Sequence, residues 1–396
     1  MKAKDRRLLE LRDTIAELSP TEAYELQQKG ATLIDVRDNE EVAQGSPIGA
    51  LRLGRSFLEL KIEEQIPDTG QTLLIICAGG MRSLFAADGL QRMGYSDVRS
   101  VAGGFSRWKT EAQPFETPRM LDATARERYA RHLSIPDIGD KGQLKLLDSK
   151  VLLIGAGGLG SPSAYYLAAA GVGTLGIIDD DVVDRSNLQR QILHTEDRIG
   201  MPKVESARIA LEALNPDVKI VAHQTRIDSS NVEELFADYD VIVDGSDNLP
   251  TRYLINDACV KLKKPNVHAA VYRFEGQITV FWPDYQGEVR GSCYRCMFPE
   301  PPPPELAPSC AEAGVLGVMP GIFGLLQALE TIKILLGIGT PLVGRMLHYD
   351  ALSGEFMEMR AKANPSCRHC SDGAVFPGYE DYAQVCSSTP PLADDK

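Results

Sequence analysis

The sequence has no excess of positive charge. Its 396 residues carry 42 Lys and Arg against 55 Asp and Glu, which gives a formal net charge of −13. Nucleic acids and anionic lipids are bound through basic surfaces that release counterions or gain Coulomb energy. The acidic balance therefore argues against a nucleic acid or a membrane as the main partner.

A long apolar segment free of charge is also missing. Residues 1–18 are too charged for a secretory signal peptide, which needs an uninterrupted apolar stretch. The most apolar run, residues 314–339, contains Gln327, Glu330 and Lys333, which predicts a buried helix rather than a membrane span. Without an export signal, the eight cysteines are better explained as metal ligands or reactive thiols than as disulfides. We expect a cytoplasmic protein.

The length and the order of the predicted elements indicate two α/β domains. A chain of 396 residues exceeds the usual size of a single core, and a hydrophobic content of 43% suits a globular protein. We expect a compact α/β domain at 18–113, a proline-containing linker at 110–119 and a Rossmann-like nucleotide-binding domain at 119–373. Residues 374–396 are predicted to form a flexible tail.

Strands and helices alternate in both predicted domains. The predicted strands span residues 32–36, 73–77, 98–101, 151–154, 175–179 and 240–244, and the predicted helices span residues 83–93 and 161–170. A further helix is expected to begin near Thr124, where Thr124 and Glu127 can form a capping box. Such a helix places Arg128 and Arg131 on one face.

A glycine-rich turn marks a candidate nucleotide site. Gly155-Ala156-Gly157-Gly158-Leu159-Gly160 lies between a predicted strand and a predicted helix. Glycines at these positions allow a tight turn, close approach of a phosphate and close helix packing, and the helix N-terminus adds partial positive charge. Asp179 follows about twenty residues later, where a carboxylate can bind ribose hydroxyls. The spacing alone fits an NAD-dependent oxidoreductase equally well.

Charged residues further along separate these two interpretations. Arg190 and Lys203 supply cations for a triphosphate, and Asp247, just past a strand, can hold Mg²⁺. A dinucleotide needs no metal clamp, and nothing in the sequence supplies the acid or base of a hydride-transfer enzyme. The pattern favours a site that binds MgATP and activates a carboxylate.

Several motifs in the same order resemble the MoeB/ThiF family, which includes the molybdopterin-synthase adenylyltransferases and is related to the ubiquitin-activating enzymes. The motifs are residues 155–160, Asp179, Ser186-Asn187-Leu188-Gln189-Arg190, Pro202-Lys203, residues 244–248, Glu275-Gly276-Gln277 and residues 310–314. The resemblance implies a homodimer that binds MgATP. It also implies adenylylation of the C-terminal Gly-Gly carboxylate of a ubiquitin-like sulfur carrier.

The same resemblance implies roles for individual residues. Gly158 and Asp179 contact the nucleotide, Asn187, Arg190 and Lys203 contact phosphates, and Asp247 holds Mg²⁺. Arg131 resembles an arginine that reaches into the partner subunit's site. Cys310 matches a loop cysteine that can hold the carrier as a thioester or acyl disulfide, although related adenylyltransferases work without it. The other nucleotide-binding candidates are Gly155, Gly157, Gly160, Asp181 and Asn248.

Two Cys-x-x-Cys pairs indicate a metal site. Cys293 with Cys296, and Cys367 with Cys370, can each place two thiolates on one tetrahedral Zn²⁺. Four thiolates leave no open position for water, so the metal is expected to be structural and to join distant segments. A redox dithiol is the alternative, but neither pair opens a helix after a strand. His369 is expected to be a bystander.

A second glycine-rich loop, Cys77-Ala78-Gly79-Gly80-Met81-Arg82, places a cysteine between a strand and a helix. Backbone N–H groups and the helix dipole at such a turn lower a thiol's pKa and stabilise a persulfide anion. An unreactive cysteine buried at a strand end is the other interpretation.

Residues 18–109 resemble the rhodanese family. The matching motifs are Asp35-Val36-Arg37, Cys77 to Ser83, and Gly103-Gly104 before Trp108. The six-residue loop has the length associated with persulfide transfer, and Gly45-Ser46 stands where the family often has Gly-His. We expect sulfur from a persulfide or thiosulfate to pass through Cys77, displace AMP and leave a thiocarboxylate. The alternative is adenylation alone, with the rhodanese domain as a non-catalytic docking module.

Overall fold

The computed structural model describes residues 2–117, 119–302 and 314–380. The chain divides into two compact units, Met1–Met120 and Leu121–Lys396. The first unit begins before and ends after the domain predicted at 18–113. Cys310 and residues 381–396 of the predicted tail lie outside the described residues.

The first unit is built around a small parallel sheet. Its strands are β1 (Glu17–Leu18), β2 (Thr32–Asp35), β3 (Ser46–Pro47), β4 (Leu51–Arg52), β5 (Leu73–Ile76), β6 (Val98–Val101) and β7 (Phe115–Glu116). Its helices are α1 (Ala3–Thr14), α2 (Pro20–Gln28), α3 (Asn39–Val42), α4 (Leu58–Gln65), α5 (Met81–Arg92) and α6 (Gly104–Thr110), with a 3-10 turn at Arg55–Phe57. The sheet order is β1-β6-β5-β2-β4, and each neighbouring pair is parallel.

The central strand β5 is apolar along its whole length because helices cover both faces of the sheet. Leu73 and Ile75 pack into one core cluster, which also contains residues of α1, α4 and α5. Leu74 and Ile76 point the other way, into a cluster with residues of α2 and α6. The strand therefore delivers the next residue, Cys77, to the carboxyl edge of the sheet.

The end of this unit differs from the sequence prediction. The linker predicted at 110–119 is wrong over Phe115–Glu116, which forms β7 and pairs antiparallel with Ser46–Pro47. The indole nitrogen of Trp108 donates to the carbonyl of Pro114 at 3.0 Å. This bond folds the segment back onto the unit, and a two-residue strand held in this way leaves no periodic signal in the sequence.

The second unit contains the larger sheet. Its strands are β8 (Lys150–Ile154), β9 (Thr174–Ile178), β10 (Lys219–His223), β11 (Val241–Asp244), β12 (Asn266–Tyr272), β13 (Glu275–Phe281), β14 (Arg345–Asp350) and β15 (Glu355–Arg360). Its helices are α7 (Ala123–Arg128), α8 (Ala130–Leu133), α9 (Gly139–Asp148), α10 (Gly160–Ala170), α11 (Lys203–Leu214), α12 (Val232–Ala237), α13 (Leu249–Leu262), α14 (Tyr294–Met297) and α15 (Val318–Leu336), with 3-10 turns at Arg185–Asn187 and Glu196–Arg198.

The strand order β10-β9-β8-β11-β12-β13-β14-β15 places the site. The strands from β10 to β12 are parallel, and those from β12 to β15 pair antiparallel. The chain leaves β8 in one direction, through β9 to β10, and returns to β11 on the other side of β8. Ligands of such sheets bind at the carboxyl ends of the strands where the order reverses. That point lies between β8 and β11.

The helical segment before the sheet is shorter than predicted. Asp122, rather than Thr124, is the N-cap of α7, and its side chain accepts from the amide of Ala125 at 2.8 Å. The predicted capping box of Thr124 and Glu127 is therefore wrong. The prediction that one continuous helix carries Arg128 and Arg131 is wrong too, because Tyr129 separates α7 from α8.

Helix α15 is the apolar run expected to be a buried helix. Within the described ranges it is the one helix long and apolar enough to cross a membrane, and half of the tested window is buried inside the protein. The side chain of Gln327 is fully buried, and its amide nitrogen donates to the carbonyls of Asp244 and Val267 at 2.7 and 3.0 Å. These are contacts of a core helix with the sheet, so this prediction is confirmed. The cytoplasmic location stays a prediction.

Candidate active sites

The glycine-rich turn after β8 has no room for side chains at two positions. Gly155 has φ +96°, and a Cβ there meets the carbonyl oxygen of Gly245 at 3.1 Å. A Cβ on Gly160 lies 1.9 Å from the carbonyl oxygen of Gly155. Since α10 begins at Gly160, the N-terminus of this helix and its partial positive charge lie at the turn, which suits the binding of a phosphate.

The end of β11 lies directly beside this turn. Asp244 is in register with Ile154, and the Gly245 amide donates to the Ile154 carbonyl at 3.0 Å. The next residues present Asp247, whose side chain is exposed, and Asn248, which caps α13 by accepting from the Thr251 amide at 3.0 Å. The fold thus brings the predicted Mg²⁺ ligand to the switch point of the sheet.

Asp179, just after β9, organises the same turn. One carboxylate oxygen accepts from the Ala156 amide at 2.8 Å, and the other accepts from the Asp181 amide at 2.9 Å. Burial raises the pKa of Asp179, and the charge of Lys203 and these amide bonds oppose that rise. Both carboxylate oxygens of Asp179 are thus held beside the glycine turn, at the carboxyl end of β9.

The predicted cations lie close to the same turn. Lys203 is 5% exposed, and its ammonium lies 2.6 Å from Asp181 and 3.9 Å from Asp179. The guanidinium of Arg190 donates to the Asn187 side-chain oxygen at 3.3 Å. The side chains of Asp181, Asn187, Arg190 and Lys203 are therefore gathered near the three strand ends, where a triphosphate needs positive charge.

Two residues of this site were missed by the sequence reasoning. Gln191 is 4% exposed and donates from its side chain to the Asn187 side-chain oxygen at 2.9 Å. His194 is buried, with Nε2 2.9 Å from the Ala156 carbonyl oxygen and Nδ1 2.9 Å from the Ser206 hydroxyl. Burial lowers the pKa of His194. Their adjacency to the motif 186–190 was visible in the sequence, but their contacts were not.

One predicted residue, Arg131, has none of the contacts found among the residues of this cluster. Its side chain is exposed on α8, and no side-chain hydrogen bond or ion pair joins it to another residue in the described part of the chain. Its predicted role in a partner subunit's site is therefore neither supported nor contradicted by its contacts. Cys310 lies outside the described residues.

The four predicted zinc ligands meet at one point. Their sulfurs lie within 4.8 Å of one another. The Sγ atoms of Cys293 and Cys296 are 3.8 Å apart, those of Cys293 and Cys367 3.6 Å, and those of Cys296 and Cys370 3.4 Å. Zn–S bonds of about 2.3 Å in a tetrahedron require sulfurs about 3.8 Å apart. The donor set and its spacing fit a structural Zn²⁺.

A buried network joins this cysteine cluster to α13. Arg295, between the first two cysteines, donates to both carboxylate oxygens of Asp257 at 2.8 and 2.7 Å. The Asn256 side-chain oxygen accepts from the Tyr294 amide at 2.7 Å. His369 Nε2 lies 3.9 Å from Asp257, beside the cluster and not among the four sulfurs. The middle of helix α13, at Asn256 and Asp257, therefore contacts the segment of the first cysteine pair, and Asn248 caps the N-terminus of the same helix.

In the first unit, Cys77 lies under a cradle of backbone amides. Its Sγ accepts from the Gly80 amide at 3.2 Å and from the Ser83 amide at 3.4 Å. The Ser83 hydroxyl lies 3.5 Å from the same sulfur and is fixed by its bond to the Gly80 carbonyl at 3.0 Å. The sulfur thus lies at the N-terminus of α5, within hydrogen-bonding distance of two backbone amides.

The motif glycines Gly103 and Gly104 pack against the backbone of the loop that follows Cys77. A Cβ on Gly104 lies 2.2 Å from the Cys77 carbonyl oxygen, so the turn at 103–104 packs directly on the loop. The Phe105 amide donates to that carbonyl at 2.7 Å. Ser46, at the position where the family often has His, donates to the buried Asp35 carboxylate at 2.9 Å. It supports a loop, as predicted, and does not contact the sulfur.

Comparison with known proteins defines the class. Residues 129–369 match the model of the ThiF family, and residues 19–111 match that of the rhodanese-like domain. The chain belongs to the ThiF family and carries a rhodanese-like domain before the family's own domain. The predicted family and the predicted fold class are confirmed.

Individual relatives give the comparison its detail. The SAMP-activating enzyme E1 of Haloferax volcanii is 50% identical over 268 residues, which are 67% of this chain and 97% of that protein. The sulfur carrier protein adenylyltransferase of Thermus thermophilus is 49% identical over 261 residues, 66% of this chain and 96% of that protein. The probable adenylyltransferase/sulfurtransferase MoeZ of Mycobacterium tuberculosis is 48% identical over 268 residues, 68% of this chain and 66% of that protein.

Solved structures agree on the fold. The crystal structure of E. coli MccB with MccA-N7isoASN has a TM-score of 0.54 and 22% identity, and the match covers 62% of this chain and 74% of that one. At that identity the likeness concerns the fold alone. The relatives named above confirm the predicted enzyme class, an adenylyltransferase combined with a sulfurtransferase.

Proposed function

We propose that this enzyme uses ATP to adenylylate the C-terminal Gly-Gly carboxylate of a ubiquitin-like sulfur carrier and converts it to a thiocarboxylate with sulfur held by Cys77. The observation that carries the proposal is the pairing, on one chain, of the strand-end site around Gly155 with the amide-cradled sulfur of Cys77. The first site suits activation of an acid, and the second suits the nucleophile that an activated acid requires.

Adenylation needs charge rather than a base, because the attacking carboxylate is already ionised. It approaches the α-phosphorus of a triphosphate, and pyrophosphate leaves. The groups that would offset the phosphate charge are Lys203, Arg190 and the N-terminus of α10. Asp247 is the exposed carboxylate beside the turn that would hold Mg²⁺, which neutralises the departing pyrophosphate.

Sulfur transfer then uses the Cys77 loop. The terminal sulfur of a Cys77 persulfide attacks the acyl carbon, AMP leaves, and an acyl disulfide forms between Cys77 and the carrier. A second thiol attacks Sγ of Cys77, forms a disulfide with it and releases the thiocarboxylate. Cys310 is the candidate for that thiol on this chain. The amides of Gly80 and Ser83 stabilise the anionic sulfur in both steps.

The nucleotide site is tested by carrier-dependent ATP–pyrophosphate exchange. Asp247→Ala should abolish exchange, because the metal loses its protein carboxylate, and the melting temperature should stay near that of the wild type since Asp247 is exposed. Asp284→Ala removes another carboxylate of the same unit, one paired with Lys263 at 3.5 Å, and should leave exchange unchanged. Full exchange by Asp247→Ala contradicts the assignment.

The homodimer is a separate part of the proposal. Arg131 is exposed, so its side chain is accessible to a second subunit. Arg131→Ala should then lose exchange, and a mixture of Arg131→Ala with Asp247→Ala chains should recover part of it, because one mixed site is intact. A mixture without recovery contradicts a shared site.

A further inference from the structure

A buried hydrogen bond between a histidine and a carboxylate lies next to the turn that carries Asp247. His268 on β12 and Asp244 at the end of β11 each have side chains 1% exposed, and Nδ1 of His268 donates to Oδ2 of Asp244 at 2.7 Å. The hydrogen bond from His268 lowers the pKa of Asp244 against the opposing effect of burial. The Asp244 carboxylate is therefore ionised although it is buried, and hydrogen-bond donors of the protein stabilise its charge.

The second oxygen of the same carboxylate holds the turn. Oδ1 of Asp244 accepts from the Ser246 amide at 3.0 Å and from the Ser246 hydroxyl at 2.6 Å. Two donors on one oxygen fix the backbone of the residue directly before Asp247. The Arg252 guanidinium donates to the Ser246 carbonyl at 3.1 Å and secures the other side of that residue.

The main chain at this point is anchored as well. The carbonyl of Asp244 accepts from the buried Gln327 side chain at 2.7 Å, and the Gly245 amide bonds to Ile154 at the start of the glycine turn. A displacement of Asp244 would therefore move the turn bearing Asp247 relative to Gly155. The carboxylate is the part of this anchor that depends on His268.

Packing alone does not account for a histidine here. The ring packs against the aromatic rings of Phe281 and Tyr294, at centroid distances of 5.5 and 5.3 Å, and those two rings also contact each other at 5.6 Å. Nε2 is buried and has no hydrogen-bond partner among the described residues. An apolar side chain would fill this space equally well. It would also avoid burying a polar atom without a hydrogen-bond partner, which costs free energy. The bond to Asp244 is the contact that an apolar residue could not make.

We propose that His268 is a positioning residue for adenylation: through the buried carboxylate of Asp244 it fixes the turn at 245–248 in the conformation that presents Asp247 to the metal and phosphates. The inference rests on the proposed function, because it takes Asp247 as the Mg²⁺ ligand. His268 itself touches neither the nucleotide turn nor Asp247; its effect is on geometry.

The test compares two substitutions of His268 in the full chain. His268→Leu removes the donor and fills the same space, whereas His268→Asn keeps a nitrogen donor near the position of Nδ1. The measured quantity is the Mg²⁺ concentration that gives half-maximal pyrophosphate exchange. It should rise about tenfold or more in His268→Leu, since a hydrogen bond to a charged group is lost, and by about twofold at most in His268→Asn. His348→Leu, on β14 of the same sheet, is the matched control and should leave it unchanged.

A second variant protects the test against a folding defect. Ser246→Ala removes the hydroxyl donor on the other carboxylate oxygen and should shift the Mg²⁺ requirement in the same direction by a smaller factor. If His268→Leu does not fold, a wild-type Mg²⁺ requirement in Ser246→Ala overturns the inference. If His268→Leu folds and has the Mg²⁺ requirement of the wild type, that result overturns the inference. If either of these results is obtained and Asp247→Ala has no exchange activity, only the inference about His268 fails and the proposed function stands. Full exchange by Asp247→Ala contradicts both the inference and the proposed function.

Discussion

The ammonium of Lys203 lies 2.6 Å from the carboxylate of Asp181, and the two ends of this ion pair differ sharply in exposure. The lysine side chain is 7% exposed and the aspartate side chain 67%. We therefore expect a phosphate to replace Asp181 at little cost in free energy, because water solvates the exposed carboxylate once the ion pair is broken. We expect the lysine to stay in place and to supply its charge to the nucleotide, as its proposed role requires.

Removal of that charge should damage catalysis more than stability. Lys203→Met keeps the length of the side chain but offers no cation to the triphosphate, so kcat for pyrophosphate exchange should fall about a hundredfold or more. Lys219→Met, at an exposed lysine on β10, is the matched control and should exchange at the wild-type rate. A Lys203→Met enzyme with wild-type kcat would remove Lys203 from the phosphate site.

The buried His194 predicts a pH dependence of stability. Its pKa in the folded chain lies below the ordinary value of 6.5, and burial is the main cause. Between the two values the unfolded chain binds more protons, so stability is lost as the pH falls below about 6.5. His194→Gln cannot titrate. Its melting temperature should therefore fall less than that of the wild type between about pH 7.5 and 5.5. Parallel curves for the two proteins would contradict this.

The four-cysteine cluster predicts one Zn²⁺ per chain. Because the metal joins segments 74 residues apart, its binding free energy contributes to folding, and a chelator should lower the melting temperature without competing with ATP. Cys293→Ser should lose the zinc, whereas Cys259→Ser, at a buried cysteine outside the cluster, should keep it. Elemental analysis of both variants and the wild type measures the outcome. Wild-type protein purified without zinc would contradict the assignment.

Much of the nucleotide site was predictable because its signals are local. A turn that excludes side chains at Gly155 and Gly160 demands glycine at those positions. Polar residues that follow an apolar strand lie at the carboxyl edge of the sheet, whatever the order of the strands. This applies to Asp179 after β9 and to Asp247 after β11. The Cys-x-x-Cys spacing of the four cysteines predicts that each pair provides two ligands to one metal ion. These features need little knowledge of the remaining chain.

The positioning residues could not be predicted in the same way. His194 contacts Ala156, 38 residues away, and His268 contacts Asp244, 24 residues away, so their roles exist only after the sheet has assembled. The break at Tyr129 has the same origin: its hydroxyl accepts from the buried Asn215 at 2.9 Å, and this tertiary bond overrides the local helix pattern. The sequence motifs predict the groups that we propose to react, but they carry no signal for the distant residues that hold those groups in place.

The central claim is that Cys77 delivers sulfur to the carboxylate activated at the strand-end site. Cys77→Ala removes the sulfur and leaves the nucleotide site untouched, so it should retain full carrier-dependent pyrophosphate exchange. Ser106→Ala, on the neighbouring α6, serves as the control with both activities intact.

The decisive measurement is the mass of the carrier after incubation with enzyme, ATP, Mg²⁺, thiosulfate and a reducing thiol. The account predicts a sulfur-for-oxygen mass increase with the wild type and with Ser106→Ala, and unchanged carrier with Cys77→Ala. Thiocarboxylate formed by Cys77→Ala at the wild-type rate would contradict the account and leave the first unit as a docking module.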